Sequence, residues 1–284
     1  MNFDDWIGRE RIANDVLDQA RATRWLATFS LNLGQSDTSI MPQGIHFALC
    51  TPDAATENLG PDGHPSRDDS SDSFLPPFPM PRRMWASSAI TFHTPITVGA
   101  VIERKSRIDS IKEKEGSSGK LALVNIAHEI YADSALAASE TQTVVYRDAA
   151  APNAPLSPPA SGEAAFDPSE WEAHHSLTPD PRLLFRYSAL TFNTHRIHYD
   201  APYARDVERY RGLVVHGPLT ASLLQQLAAR ELGNNALKTF EFRGVSPAIA
   251  QEPLHLVMRS AQDGFEIGAF AGDGRQVTKA IASV

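Results

Sequence analysis

Three of the chain's ten histidines, His195, His198 and His216, fall in the stretch 185–224, FRYSALTFNTHRIHYDAPYARDVERYRGLVVHGPLTASLL, together with Asn193 and Gly217. An imidazole keeps a usable neutral fraction at pH 7, so it can take a proton from water without an extreme environment. Gly217 opens a strongly apolar segment with helical spacing. The N–H groups at such a helix start are unsatisfied and carry the equivalent of about half a positive charge, so they can hold an oxyanion developing on a carbonyl. Glycine at that point allows close approach. A base and an oxyanion donor are what addition or removal of water next to a carbonyl requires, with His198 the candidate base and Gly217 the candidate donor. Asn193 can orient a water through its carbonyl oxygen or donate to a substrate, but an amide cannot accept the proton.

These residues need elements to hold them. The segment 218–232 places Leu219, Leu223, Leu224, Leu227 and Ala228 on a wide apolar arc, which predicts a helix wrapped by a sheet. Asp200 ahead of Ala201 and Pro202 reads as the N-cap of a short helix over 201–210, with orientation of His198 as its competing role. Strands are expected at 236–246, 254–262, 265–271 and 276–283. The first half repeats the order: a helix over 15–29, a long loop over 51–81, a helix-like stretch over 83–89, then strands at 90–108, 120–131 and 139–147. The loop's Ser/Asp-rich middle, 66–73, favours mobility. Between the halves, seven of the 20 prolines fall within 149–181, which reads as a linker whose Phe166 and Trp171 pack on a domain surface. The expected organisation is a first unit over 1–148, this linker, and a second unit over 182–284. A helix followed by an antiparallel meander, twice over, is an α+β pattern.

The run from Thr191 to Asp200, followed by Val215, His216, Gly217, Pro218, Leu219, Thr220 and Ala221, resembles the MaoC-like (R)-specific enoyl-CoA hydratases. Their pattern is S-G-D-x-N-P-[IL]-H-x-D, with A-H-G-M-L-T-A a short way downstream. In the first half, WIGRE, GIHF at 44–47, LGPDGHP at 59–65, PRRMWA at 81–86 and ETQTVVYR at 140–147 resemble a double hot-dog subgroup. That subgroup includes mesaconyl-CoA and itaconyl-CoA hydratases, and a mitochondrial-type 3-hydroxyacyl thioester dehydratase is related to it. The resemblance implies two hot-dog units in one chain, each an antiparallel sheet wrapped around a central helix, an acyl-CoA substrate, no cofactor, and a single site built mainly by the second half. It casts His198 as the base and Gly217 as the carbonyl-oxygen donor. Asn193 stands where the pattern has an aspartate. His195 replaces an asparagine, as a support or a second base. Arg196 replaces a proline and suits a substrate with a free carboxylate. Arg82 and Arg83 compete for that role or for CoA phosphates, and His216 is taken as substrate-binding, with packing or hydrogen bonding as its plainer role. The implied reaction is hydration of a carboxylated enoyl-CoA to citramalyl-CoA. The alternatives are a 3-hydroxyacyl-CoA or acyl-carrier-protein dehydratase and a non-catalytic acyl-CoA binder.

Composition narrows the remaining classes. Lys and Arg number 26 against 34 Asp and Glu, a net charge of −8, which disfavours a nucleic-acid partner. With 42% hydrophobic and 21% charged residues the chain should fold. The single cysteine, Cys50, permits no internal disulfide, and a cytoplasmic home fits best. No apolar run approaches the ~20 residues that span a bilayer, so no membrane partner is expected. His174 and His175 lack a third ligand at metal spacing, and no metal site is expected. G-x-S-x-G and phosphate-loop motifs are absent, and 218–230 carries no carboxylate for a thioesterase on the helix. A homodimer is possible.

Overall fold

In this computed structural model, which describes residues 3–31, 39–68, 70, 72–116 and 119–284, ten strands form one antiparallel sheet. The first half contributes β1 (Glu10–Val16), α1 (Gln19–Thr28), β2 (Arg82–Phe92), β3 (Val101–Gly116), β4 (Gly119–Ala132) and β5 (Ala135–Arg147). The second contributes β6 (Ala173–Leu177), α2 (Pro181–Thr191), α3 (Ala201–Asp206), α4 (Gly217–Leu232), β7 (Thr239–Gly244), β8 (Leu254–Ala261), β9 (Gly264–Ala271) and β10 (Gln276–Ser283). Outward from the middle the order is β2-β5-β4-β3-β1 on one side and β7-β10-β9-β8-β6 on the other. The two halves therefore repeat one topology and join where β2 pairs with β7, from Ser87 opposite Arg243 to Thr91 opposite Thr239. This is the α+β double hot-dog. Among the described residues no helix is long and apolar enough to cross a membrane.

The second half holds the long helix. Every residue of α4 from Leu219 to Ala228 is buried, and the helix packs on β8, β9 and β10. Its Leu/Ala run favours helix, and Pro218 suits the first turn because its missing N–H has no helical partner to lose. Among its described residues the first half has no counterpart. By order of elements α1 corresponds to α2, not α4, and the two touch through Trp25 and Tyr187, ring centroids 6.4 Å apart. After α1 the described chain makes only short 3₁₀ turns at 45–48 and 56–58 before β2. Among the described residues the expected central helix is thus found in the second half and not in the first, where residues between 51 and 77 line a cavity.

Other expectations change for identifiable reasons. The helix expected at 15 starts at Gln19, because β1 takes the residues before it by pairing with β3 and Asp18 caps the helix through the Arg21 N–H at 2.6 Å. The stretch 83–89 is strand, since β2 is hydrogen-bonded on both edges and tertiary pairing overrides local periodicity. Within 149–181 lies β6, an edge strand on β8, while Phe166 and Trp171 pack on Phe270 at 4.9 and 5.7 Å. In 66–73, residues 69 and 71 lie outside the described set. Its neighbours are anchored: Ser73 is buried and its carbonyl accepts from the Trp6 indole at 3.1 Å, and Arg67 donates to the carbonyls of Phe78 and Met80.

Candidate active site

The chain leaves α2 at Phe192 in a left-handed conformation (φ 48°), and Asn193 turns it by accepting the His195 N–H on Oδ1 at 2.9 Å. A 3₁₀ turn over 196–198 then buries His198. Its Nδ1 donates to the Val214 carbonyl at 2.7 Å. Because a carbonyl only accepts, the proton sits on Nδ1 and the lone pair on Nε2. Burial pushes the imidazole down to about 4, against the opposing pull of that carbonyl, so at neutral pH it is an unprotonated base. The ring stacks on His216, centroids 3.6 Å apart and planes within 19°. His216 is held by Ser188 Oγ at 2.9 Å and is pushed far below its usual range by burial, then by His198 and His195.

His216 is also the residue that precedes α4, and its side chain makes no capping bond to the helix. The stack therefore delivers His198 to an uncapped helix head. Pro218 has no N–H, so the Gly217 N–H is the first donor there. A Cβ at Gly217 would meet nothing closer than the Trp85 carbonyl at 4.0 Å, so the glycine leaves room for a ligand and is not required by packing. His198, His216, Gly217, Asn193 and His195 all line one cavity of about 1130 Å³, with walls from both halves. His195 is pushed down to about 2 by burial and by the neighbouring His64 and His198, which leaves it a structural imidazole between them and a very weak base.

The arginines divide. Arg196 is engaged within the protein: its guanidinium takes Asp200 at 2.7 Å and the Pro61 carbonyl at 2.9 Å, lies over the Tyr203 ring, and is absent from the cavity wall. Asp200 is the expected N-cap, accepting the Tyr203 N–H at 3.1 Å, so its carboxylate serves α3 and Arg196, and no bond joins it to His198. Arg82 reaches the cavity but is paired with Glu208 at 2.6 Å. Arg83 also lines the cavity, contacts the Tyr146 hydroxyl, and has no carboxylate in ion-pair range among the described residues.

Two further residues, Asp62 and His64, carry no role that the sequence alone assigns. They sit in the LGPDGHP turn of the first half, far along the chain from His195, and only folding shows that the turn docks there. His64 Nδ1 bonds Asp62 Oδ2 at 3.0 Å, and the His64 ring lies 4.0 Å from that of His195. Burial raises the Asp62 carboxyl, but the bonds from the His64 side chain and backbone outweigh it and hold the acid at about 2. Ligand atoms of Asp62, His64 and His195 lie within 4.8 Å of one another, a spacing that a metal ion could also use.

Residues 44–250 match the family model described as hydroxyacyl-thioester dehydratase type 2. The chain is 40% identical over 280 residues to a mesaconyl-C(4)-CoA hydratase of Chloroflexus aurantiacus, covering 98% of this chain and 96% of that one. It is 30% identical over 278 residues to a mitochondrial hydroxyacyl-thioester dehydratase type 2 of Schizosaccharomyces pombe, covering 86% and 88%. Among solved structures it is similar to a Mycobacterium tuberculosis protein described as a double hotdog fold, with TM-score 0.59, 14% identity, and 97% and 95% coverage.

Proposed function

Since this chain belongs to the hydroxyacyl-thioester dehydratase type 2 family, we propose that it adds water reversibly to an α,β-unsaturated acyl-CoA carrying a free carboxylate. Mesaconyl-CoA or itaconyl-CoA would give citramalyl-CoA. His198 Nε2 takes a proton from water as the oxygen bonds to Cβ, and the Gly217 N–H holds the carbonyl oxygen on which negative charge develops. The observation that carries this reading is the stack of His198, whose Nε2 keeps its lone pair, on His216, the residue that precedes uncapped α4. Asn193 already spends its carbonyl on His195, so in this reading its NH₂ faces the ligand as a donor.

Arg83 supports the carboxylated substrate. It is a cavity arginine without an acidic partner among the described residues, and a guanidinium pairs a carboxylate bidentately. Arg82 is neutralised by Glu208 and contributes wall instead. We take one site per chain, because the first half has no equivalent of the N-x-H-x-x-H run at 193–198. We place the activity in the cytoplasm, alongside its coenzyme A thioesters.

The second reading is a dehydratase of 3-hydroxyacyl thioesters lacking the second carboxylate, which the fission-yeast relative favours. Incubation with mesaconyl-, itaconyl- and crotonyl-CoA, following loss of conjugated absorbance and the hydrated product by mass, separates the two. Preference for the carboxylated thioesters is expected. Turnover of crotonyl-CoA alone selects the second reading, and no turnover of any leaves only an acyl-CoA binder.

A further inference from the structure

Water addition needs two proton movements, one from water and one onto Cα, and the residues assigned so far account for the first. Asn193 is an amide where the related pattern has an acid, and it has no proton to give as one. His195 and His216 are buried neutral rings. Among the described histidines lining the cavity, only His64 carries a carboxylate on its ring. That carboxylate accepts at Nδ1, which leaves Nε2 as the atom free for a ligand.

The turn bearing this pair is built onto the catalytic segment at several points. The Asp62 carbonyl accepts the Arg196 N–H at 2.9 Å, the Gly63 carbonyl accepts from Thr194 Oγ1 at 2.5 Å, and the Pro61 carbonyl accepts from the Arg196 side chain. Gly63 is left-handed (φ +86°), and a Cβ there would collide with the Thr194 carbonyl, so only glycine permits this approach. The arginine expected to clamp substrate is instead the staple that fixes Asp62 and His64 beside the reacting centre.

We propose that His64, oriented by Asp62, is a second acid–base residue of the site, giving the proton that Cα receives during hydration and removing it during dehydration. This rests on the hydratase reading above. As the water oxygen bonds to Cβ, His198 Nε2 takes the water proton and the C=C pair moves toward Cα and the carbonyl. The pair at Cα then bonds a proton carried on His64 Nε2, while Nδ1 keeps the proton it shares with Asp62. The substrate gains one water, His198 has gained a proton and His64 has lost one, and solvent in the open cavity returns the difference.

The test is steady-state kinetics on mesaconyl-CoA with His64→Ala, Asp62→Asn and the double variant, with and without added imidazole. His64→Ala should lower kcat about 100-fold, the usual worth of a positioned acid, with KM within about threefold and partial recovery in imidazole. Asp62→Asn should cost about tenfold, and the double variant should be no slower than His64→Ala, because Asp62 acts only through that ring. A kcat within threefold of wild type, a loss confined to KM, a loss that imidazole does not relieve, or additive losses would overturn the proposal. Loss of wild-type activity in EDTA, restored by zinc, would overturn it in favour of a metal held by the same side chains. An inactive wild type would instead remove the hydratase reading, and an active His64→Ala with an inactive His198→Gln would remove this inference alone.

Discussion

The imidazoles of His198 and His216 stack at 3.6 Å, and one of these residues immediately precedes the helix whose first residue, Gly217, lines the cavity. A single contact thus sets both the distance from base to helix head and the plane of the base. Both rings are buried, so each is held neutral, and two neutral rings can stack without charge repulsion.

The pH dependence of catalysis follows from that burial. A general base works only unprotonated, so activity is present above its pKa and is lost as pH falls through it. With His198 held down to about 4, the acid limb of kcat/KM should fall through about pH 4, and not through the ordinary imidazole value of 6.5. A pH–rate profile on wild-type enzyme checks this. A limb near the ordinary value would mean that the base is more exposed than the fold implies.

Gly63→Ala should damage both stability and turnover. The left-handed backbone costs an alanine about 1 kcal/mol, and the collision with the Thr194 carbonyl forces the Asp62–His64 turn off the 193–196 segment. Gly99→Ala is the matched control: its φ is also positive, at +93°, but a Cβ there meets nothing within 4 Å. Urea unfolding should show a loss of similar sign in both variants, larger in Gly63→Ala. Only Gly63→Ala should lose activity, by about tenfold or more. Equal activity in the two would detach the turn from catalysis.

Arg83 and Arg196 should separate by substrate. Arg83→Gln removes a cavity arginine that pairs no carboxylate among the described residues, so KM should rise about tenfold or more for carboxylated thioesters and little for crotonyl-CoA, as loss of a charge-assisted pair requires. Arg196→Ala loosens the staple on Pro61 and Asp200 and should slow all substrates alike. Initial rates on both substrate types decide. A carboxylate-specific defect in Arg196→Ala would reverse the assignment.

How much of this is written in the sequence depends on how far apart the cooperating residues lie. His198, His216 and Gly217 can be read together because base and donor share one short stretch of chain, and the Leu/Ala periodicity of α4 announces the helix between the strands. Asp200 as a cap is readable from its own residue type and from Pro202 two positions on. Arg196 reads as a ligand by residue type, while the partners that occupy it, Pro61 and Asp200, are known only after folding. The Asp62–His64 pair lies in plain sight in LGPDGHP, but nothing local says that this turn docks on a segment of the other half. That the described residues of the first half hold no central helix is hidden for a similar reason: α1 has helical spacing, yet its order in the chain and its contact with α2 give it a different place.

The central claim is that the lone pair on His198 takes the proton from water at the head of α4. His198→Gln keeps a side chain that can still meet the Val214 carbonyl, so the fold should survive, as circular dichroism and thermal unfolding can verify. Hydration of mesaconyl-CoA by that variant, followed by mass, should fall by about 10²–10⁴-fold with the fold intact. A folded His198→Gln protein that hydrates within about threefold of the wild-type rate would contradict it.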